Sequence, residues 1–179
     1  MQSTEYINRM RLNKFPDQLF KKGNEKDLLE FLNKFPAEYY AIRDKTNSGS
    51  KKFNFKATKE DVLKDCINMD LFAINVSSYN YRENQLLAGH IMITSSDEIY
   101  LVASVNKNFS VRDAKNNPNY NINTFLNDRK LKHVPGLSYI ADYLIIHKLN
   151  DVVVEFAVYN IKLGTENENV IIYELRTNY

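Results

Sequence analysis

Two strand-like runs near the C-terminus limit the fold more than any other part of this chain. Residues 152–159 read Val-Val-Val-Glu-Phe-Ala-Val-Tyr, and residues 170–176 read Val-Ile-Ile-Tyr-Glu-Leu-Arg. Successive side chains on a strand point to opposite faces. Val153, Glu155, Ala157 and Tyr159 therefore share one face of the first run, and Val152, Val154, Phe156 and Val158 share the other. The same rule groups Val170, Ile172, Glu174 and Arg176 in the second run. A hairpin turn centred on Gly164 and Thr165 opposes Glu155 to Glu174 and Val153 to Arg176. A register slip of one residue would instead send the two acids to opposite faces.

Two like charges directly opposed on a sheet destabilise it, and partial burial raises the cost of ionising both. Something has to offset that cost, and two arrangements do so. A divalent cation with oxygen ligands is one: Mg²⁺ usually takes one or two protein carboxylates and completes its shell with substrate phosphates. Arg176, one pair position away, then suits a phosphate oxygen through its planar donor fork. The other is an internal diagonal ion pair between Glu155 and Arg176, with Glu174 at the solvent edge and no ligand required. The spacing leaves both open.

The rest of the chain narrows the class. Of 179 residues, 44% are hydrophobic and 26% charged, a globular balance that excludes disordered and low-complexity readings. Basic and acidic residues number 24 and 22, too even for the broad positive field of a non-specific duplex binder. Cys66 is the one cysteine, so there is no internal disulfide and no cysteine-based zinc cluster. His90, His133 and His147 are too scattered for a zinc motif, although His90 alternates with Ala88 and Met92 on a strand-like run and so lies near a candidate cleft. The absence of an export signal and of any run of eighteen apolar residues predicts a cytoplasmic protein with no membrane partner.

Helices are expected over residues 25–34, capped by Asn24, over 58–67, opened by Thr58 with Asp61, and over 137–149. Their inward stripes are Leu28, Leu29, Phe31 and Leu32, then Val62, Leu63, Cys66 and Ile67, then Leu137, Ile140, Ala141, Leu144 and Ile145. Strands are expected over 39–43, 72–77, 86–94 and 98–105 besides the closing pair, with residues 106–123 a polar connection. Leu12-Asn-Lys-Phe-Pro16 recurs as Leu32-Asn-Lys-Phe-Pro36, which reads as two helices that each end before a proline. The sum is an α+β fold, a mostly antiparallel sheet with helices packed on it. Residues 1–38 form an N-terminal helical segment and 39–179 the main domain, together one compact unit.

In this order the motifs Ala41-Ile-Arg43, Val154-Glu-Phe156 and Tyr173-Glu-Leu-Arg176 resemble those of the ATP-grasp superfamily, particularly the branch of phosphoenolpyruvate synthase and pyruvate phosphate dikinase. The resemblance implies an ATP-grasp-like fold that binds ATP and Mg²⁺ for phosphoryl-transfer or ligase-type chemistry. It places Arg43 and Arg176 on ATP phosphates as the catalytic cations, and Glu155 and Glu174 on the metal. The polar loop over residues 46–52, with Gly49, Lys45, Lys51 and Lys52, would supply further cations and backbone N–H groups to phosphates. The implied acceptor is a carboxylate or a phosphoryl carrier. Two departures stand out: no Gly-rich N-terminal segment carries a nucleotide lysine, and the superfamily's Asn two residues after the final acid is Arg176 here. A relative that keeps the fold without the catalysis fits these gaps equally well.

The alternative is a non-catalytic module that binds protein or single-stranded nucleic acid. Aromatic faces stack bases while cations follow the backbone, and Tyr79, Tyr81, Arg82, Lys107, Arg112 and Tyr120 are the candidates. Arg112 is also a second candidate for a phosphate contact. A plain structural domain whose Glu–Arg pair closes the sheet edge is the third reading.

Overall fold

The computed structural model describes residues 3–46, 53–105 and 118–177. In chain order the elements are α1 (Ser3–Arg9), β1 (Asp17–Lys21), α2 (Glu25–Lys34), β2 (Tyr40–Asp44), β3 (Phe53–Ala57), α3 (Lys59–Cys66) and β4 (Leu71–Val76). They continue as β5 (Gln85–Ile93), β6 (Glu98–Ser104), β7 (Tyr120–Phe125), α4 (Leu137–Ile146), β8 (Val152–Leu163) and β9 (Glu168–Thr177). The strands make two antiparallel sheets, so the expected α+β class with helices on mostly antiparallel strands is what the chain adopts. These belong to two compact units: residues 15–81 form one, and the residues up to Lys14 with those from Arg82 onward form the other.

The smaller unit is a four-stranded sheet in the order β1-β4-β2-β3. Phe20, Tyr40, Ile42, Phe72 and Ile74 are buried on it. Phe20 meets Phe31 of α2 edge-on at 5.8 Å and stacks on Phe72 at 5.6 Å. The expected capping box opens α3: Thr58 accepts from the Asp61 N–H while the Asp61 carboxylate accepts from that of Thr58. Cys66 is packing, its thiol buried and pushed up to about 12 by desolvation.

Several local expectations are corrected here. The division at residue 38 falls inside this unit, because residues 17–21 are not helical but pair with β4 as an edge strand. The repeated five-residue segment is not a repeated helix end either: α1 stops at Arg9, so the first copy lies beyond a helix, whereas the second is the last turn of α2 with its C-cap Phe35 and does end a helix before Pro36. Asn24 sits at the α2 N-cap without a side-chain capping bond, its amide donating instead to the Asp27 carboxylate at 3.4 Å. Leu29, Ile67 and Ile145 are exposed, which narrows each apolar stripe by one position.

The larger unit is a five-stranded sheet in the order β7-β6-β5-β8-β9, with α4 on its core face. Ile91, Leu101, Val154, Phe156 and Leu175 of the sheet pack with Ile140 and Leu144 of α4. Residues 120–123, the end of the expected connection, belong instead to the edge strand β7: Tyr120 and Ile122 pack against the core between exposed Asn121 and Asn123. Among the described residues no helix is long and apolar enough to cross a membrane.

The closing hairpin reaches its register by a different route from the expected one. β8 runs on to Leu163, the turn occupies residues 164–167, and Leu163 pairs with Glu168. Two register shifts follow, one between Val158 and Leu163 and one beside Glu155 that leaves Tyr173 as an extra residue in β9. Together they restore Glu155 opposite Glu174 and Val153 opposite Arg176. The shift at Tyr173 also overturns the expected face. Val170 and Ile172 join Leu175 in the core, so they do not share a side with Glu174 and Arg176.

Buried Asn13 fixes the turn end of this hairpin. Its amide donates to the Leu163 carbonyl at 2.8 Å and the Val170 carbonyl at 2.7 Å, and its side-chain oxygen accepts from the Glu166 N–H at 2.8 Å. Asn13→Ala strands those buried groups, each costing about 1–3 kcal/mol when unmet. The expected loss is about 2–4 kcal/mol in total, read as a lower urea midpoint. An unchanged midpoint would show that water replaces the amide.

Candidate functional site

The face of the five-stranded sheet opposite α4 carries the predicted acids. Antiparallel register aligns Val102 of β6, His90 of β5, Glu155 of β8 and Glu174 of β9 in one row across four strands. The next row is Tyr100, Met92, Val153 and Arg176. Core-facing Val152, Val154 and Phe156 anchor β8 beneath, so the parity of that strand forces Glu155 outward.

The Arg176 side chain lies across both carboxylates. Its Nε donates to Glu174 Oε1 at 2.7 Å, and its Nη2 is 3.5 Å from Glu155 Oε1. His90 Nδ1 approaches the same Glu155 oxygen at 3.4 Å. The hydrogen bond to Glu174, followed by that carboxylate's charge, raises the guanidinium above its ordinary range, with a smaller contribution from Glu155. The Glu155–Glu174 repulsion is thus met in part by one bridging cation. The internal ion pair foreseen from spacing is present, but Glu174 is its closer partner and not a bystander at the edge.

The side chains are graded in exposure: His90 12%, Glu155 26%, Glu174 37% and Arg176 61%. Two half-buried carboxylates open to solvent on one side form an oxygen-only donor set, which suits a hard cation such as Mg²⁺ and not zinc. Among the described residues no group of three or more His, Cys, Asp or Glu side chains is arranged to hold a metal. Two carboxylates are nevertheless what Mg²⁺ requires of a protein when phosphates complete its shell.

The other predicted positions are distributed as follows. Arg43, exposed on β2, and Lys45, just beyond it, belong to the four-stranded unit. The Lys45 N–H donates to the Leu71 carbonyl at 2.9 Å. Gly49, Lys51, Lys52, Lys107 and Arg112 lie outside the described residues. Of the tyrosines expected to stack bases, Tyr79 and Tyr81 already have aromatic partners and Tyr120 packs against the core. Tyr81 stacks on Phe15 at 5.5 Å, and Tyr79 meets the edge of Tyr39 with Lys56 Nζ 3.9 Å from its ring centroid. The His147 ring packs tilted against Tyr143, with centroids 4.2 Å apart, and its Nε2 lies 3.8 Å from Glu168 Oε1. His90 meets Glu155 through long-range register, which the sequence does not carry, since Ala88, His90 and Met92 reveal a face but not the strand that pairs with it.

No protein-family model matches the chain, and no curated protein matches it in sequence. Solved structures do match in shape. Macrocyclase MdnC from Microcystis aeruginosa, bound with precursor peptide MdnA, superposes with a TM-score of 0.51 at 15% identity, covering 99% of this chain and 51% of that one. The ADP complex of N5-carboxyaminoimidazole ribonucleotide synthetase gives 0.51 at 12% identity, covering 97% of this chain and 42% of that one. The fold is ATP-grasp-like. The chain spans about half the length of these structures, 51% and 42%.

Proposed function

We propose that this chain binds ATP with Mg²⁺ on the open face of β8 and β9, in support of phosphoryl-transfer or ligase-type chemistry. Glu155 and Glu174 hold the metal, and Arg176 meets a phosphate oxygen. The observation that carries the reading is the direct opposition of Glu155 to Glu174, with Arg176 across both, on the closing hairpin of an ATP-grasp-like fold. Bound Mg²⁺ supplies neutralising charge to the phosphates. The protein's own part is then to orient the triphosphate and hold it against solvent, which is most of what phosphoryl transfer asks of a protein.

Lys45 is assigned to a phosphate contact as a cation beside the polar loop over residues 46–52, and Arg43 on the resemblance of its motif. The acceptor class, a carboxylate or a phosphoryl carrier, and the branch of phosphoenolpyruvate synthase rest on the same ground. Calorimetric titration tests the reading. ATP is expected to give saturable heat in the presence of Mg²⁺ and little in its absence, and the affinity is expected to weaken in Arg43→Ala and Lys45→Ala. A flat titration with Mg²⁺ present would overturn it.

A further inference from the structure

We infer that Arg176 is a tethered competitor of the divalent cation: its guanidinium bridges Glu155 and Glu174, and a metal on those oxygens releases it to a phosphate. This rests on the nucleotide–Mg²⁺ reading of the same face and adds its regulation, a built-in coupling between the two ligands.

The contacts carry the inference. Arg176 engages the same oxygen of each acid, Oε1, at 2.7 Å for Glu174 and 3.5 Å for Glu155. Glu155 Oε1 is shared with His90 Nδ1 at 3.4 Å, so that atom already has two nitrogen neighbours. A metal at about 2.0–2.1 Å from carboxylate oxygens would place two positive charges within a few ångströms of the guanidinium, a repulsion that partial burial strengthens. One cation has to leave, and the exposures say which. The Arg176 side chain is 61% exposed against 26% and 37% for the acids, so the guanidinium swings into water at small cost while the acids stay fixed by β8 and β9. Once displaced, its planar fork suits a phosphate, on the same strand two residues from Glu174. Metal thus frees the arginine for the nucleotide, and by linkage the nucleotide favours metal by the same factor. An asparagine or glutamine at 176 offers no such exchange.

Mn²⁺ binding to the full chain, followed by the electron paramagnetic resonance of the free ion with and without ADP, tests this. Removing a competitor held by two part-exposed ion pairs, each worth a few-fold, is expected to make Arg176→Gln bind Mn²⁺ alone about three- to tenfold more tightly than the natural chain. The enhancement that ADP gives to Mn²⁺ should shrink towards none. Arg176→Lys keeps the charge without the fork, so its affinity for Mn²⁺ alone should stay near that of the natural chain while its ADP enhancement falls. The inference is overturned if Arg176→Gln binds Mn²⁺ alone no more tightly, or if Arg176→Lys retains the full ADP enhancement. A Glu174→Gln arm separates the two levels. If it binds Mn²⁺ and ADP as the natural chain does, the site reading itself fails. If it loses both while Arg176→Gln is unaltered, only the exchange fails. Circular dichroism of each variant confirms that the sheet is intact.

Discussion

Alanine at position 89 is expected to destabilise the five-stranded unit by about 3 kcal/mol or more, at the upper end of what overpacking costs. Gly89 pairs with Ala103 on β6 and with Phe156 on β8, in the middle of the sheet. A Cβ built there would lie 2.7 Å from Ala103 Cα, 2.8 Å from Ala103 Cβ, and closer still to the Val102 carbonyl oxygen. Those atoms are backbone and a short side chain, so no rotamer change relieves the clash and the two strands must part. The effect reaches the site as well, since β5 carries His90 and holds β8 in register at Glu155. The measurement is a urea midpoint by circular dichroism, paired with the calorimetric ATP titration, and both should fall together. A variant with natural stability would mean that β5 and β6 lie further apart than the structure places them.

Glu174→Gln should show the opposite signature, with a stable protein that no longer binds. The side chain is 37% exposed and its main partner is an exposed arginine, so losing the pair costs stability about 1 kcal/mol or less. Removing one of two facing carboxylates also relieves their repulsion. Under the proposed reading the same change deletes half of the protein's metal donors. Even supporting residues around a metal change affinity by about 10–100-fold, so Mg²⁺-dependent ATP affinity is expected to drop about a hundredfold or beyond detection. A thermal melt and a titration on one preparation separate the effects. Retained Mg²⁺-dependent affinity in a well-folded Glu174→Gln would remove this face from the function.

The parts of the fold legible in sequence were those whose signal is local. Thr58 and Asp61 announced the start of α3 because a capping box needs only four residues. The expected strands over 86–94 and 98–105 leave only polar Ser95–Asp97 between them, and they pair as β5 and β6. β1 escaped notice because only Phe20 of its five residues is buried, which leaves no alternation to read. β7 escaped because exposed Asn121 and Asn123 dominate its composition while Tyr120, Ile122 and Thr124 are only partly buried. The opposition of the two acids was legible, but its cause was not. An irregular strand hides its shifts from a period of two, so the face of Val170 and Ile172 was misread although the pairing above it was not.

The extra residue at Tyr173 has a consequence for how this hairpin can vary. Between the turn and the acids, residues 159–162 face the single residue Asn169, but the turn itself is pinned, the Glu166 N–H donating to Asn13 and the Thr165 N–H to the Lys14 carbonyl. Position 173 is the tolerant one. With Tyr173 deleted, Ile172 would run directly into Glu174, and plain alternation would keep Val170, Ile172 and Leu175 inward, Glu174 and Arg176 outward and Glu155 opposite Glu174, so a one-residue loss is absorbed at the kink and not at the tip.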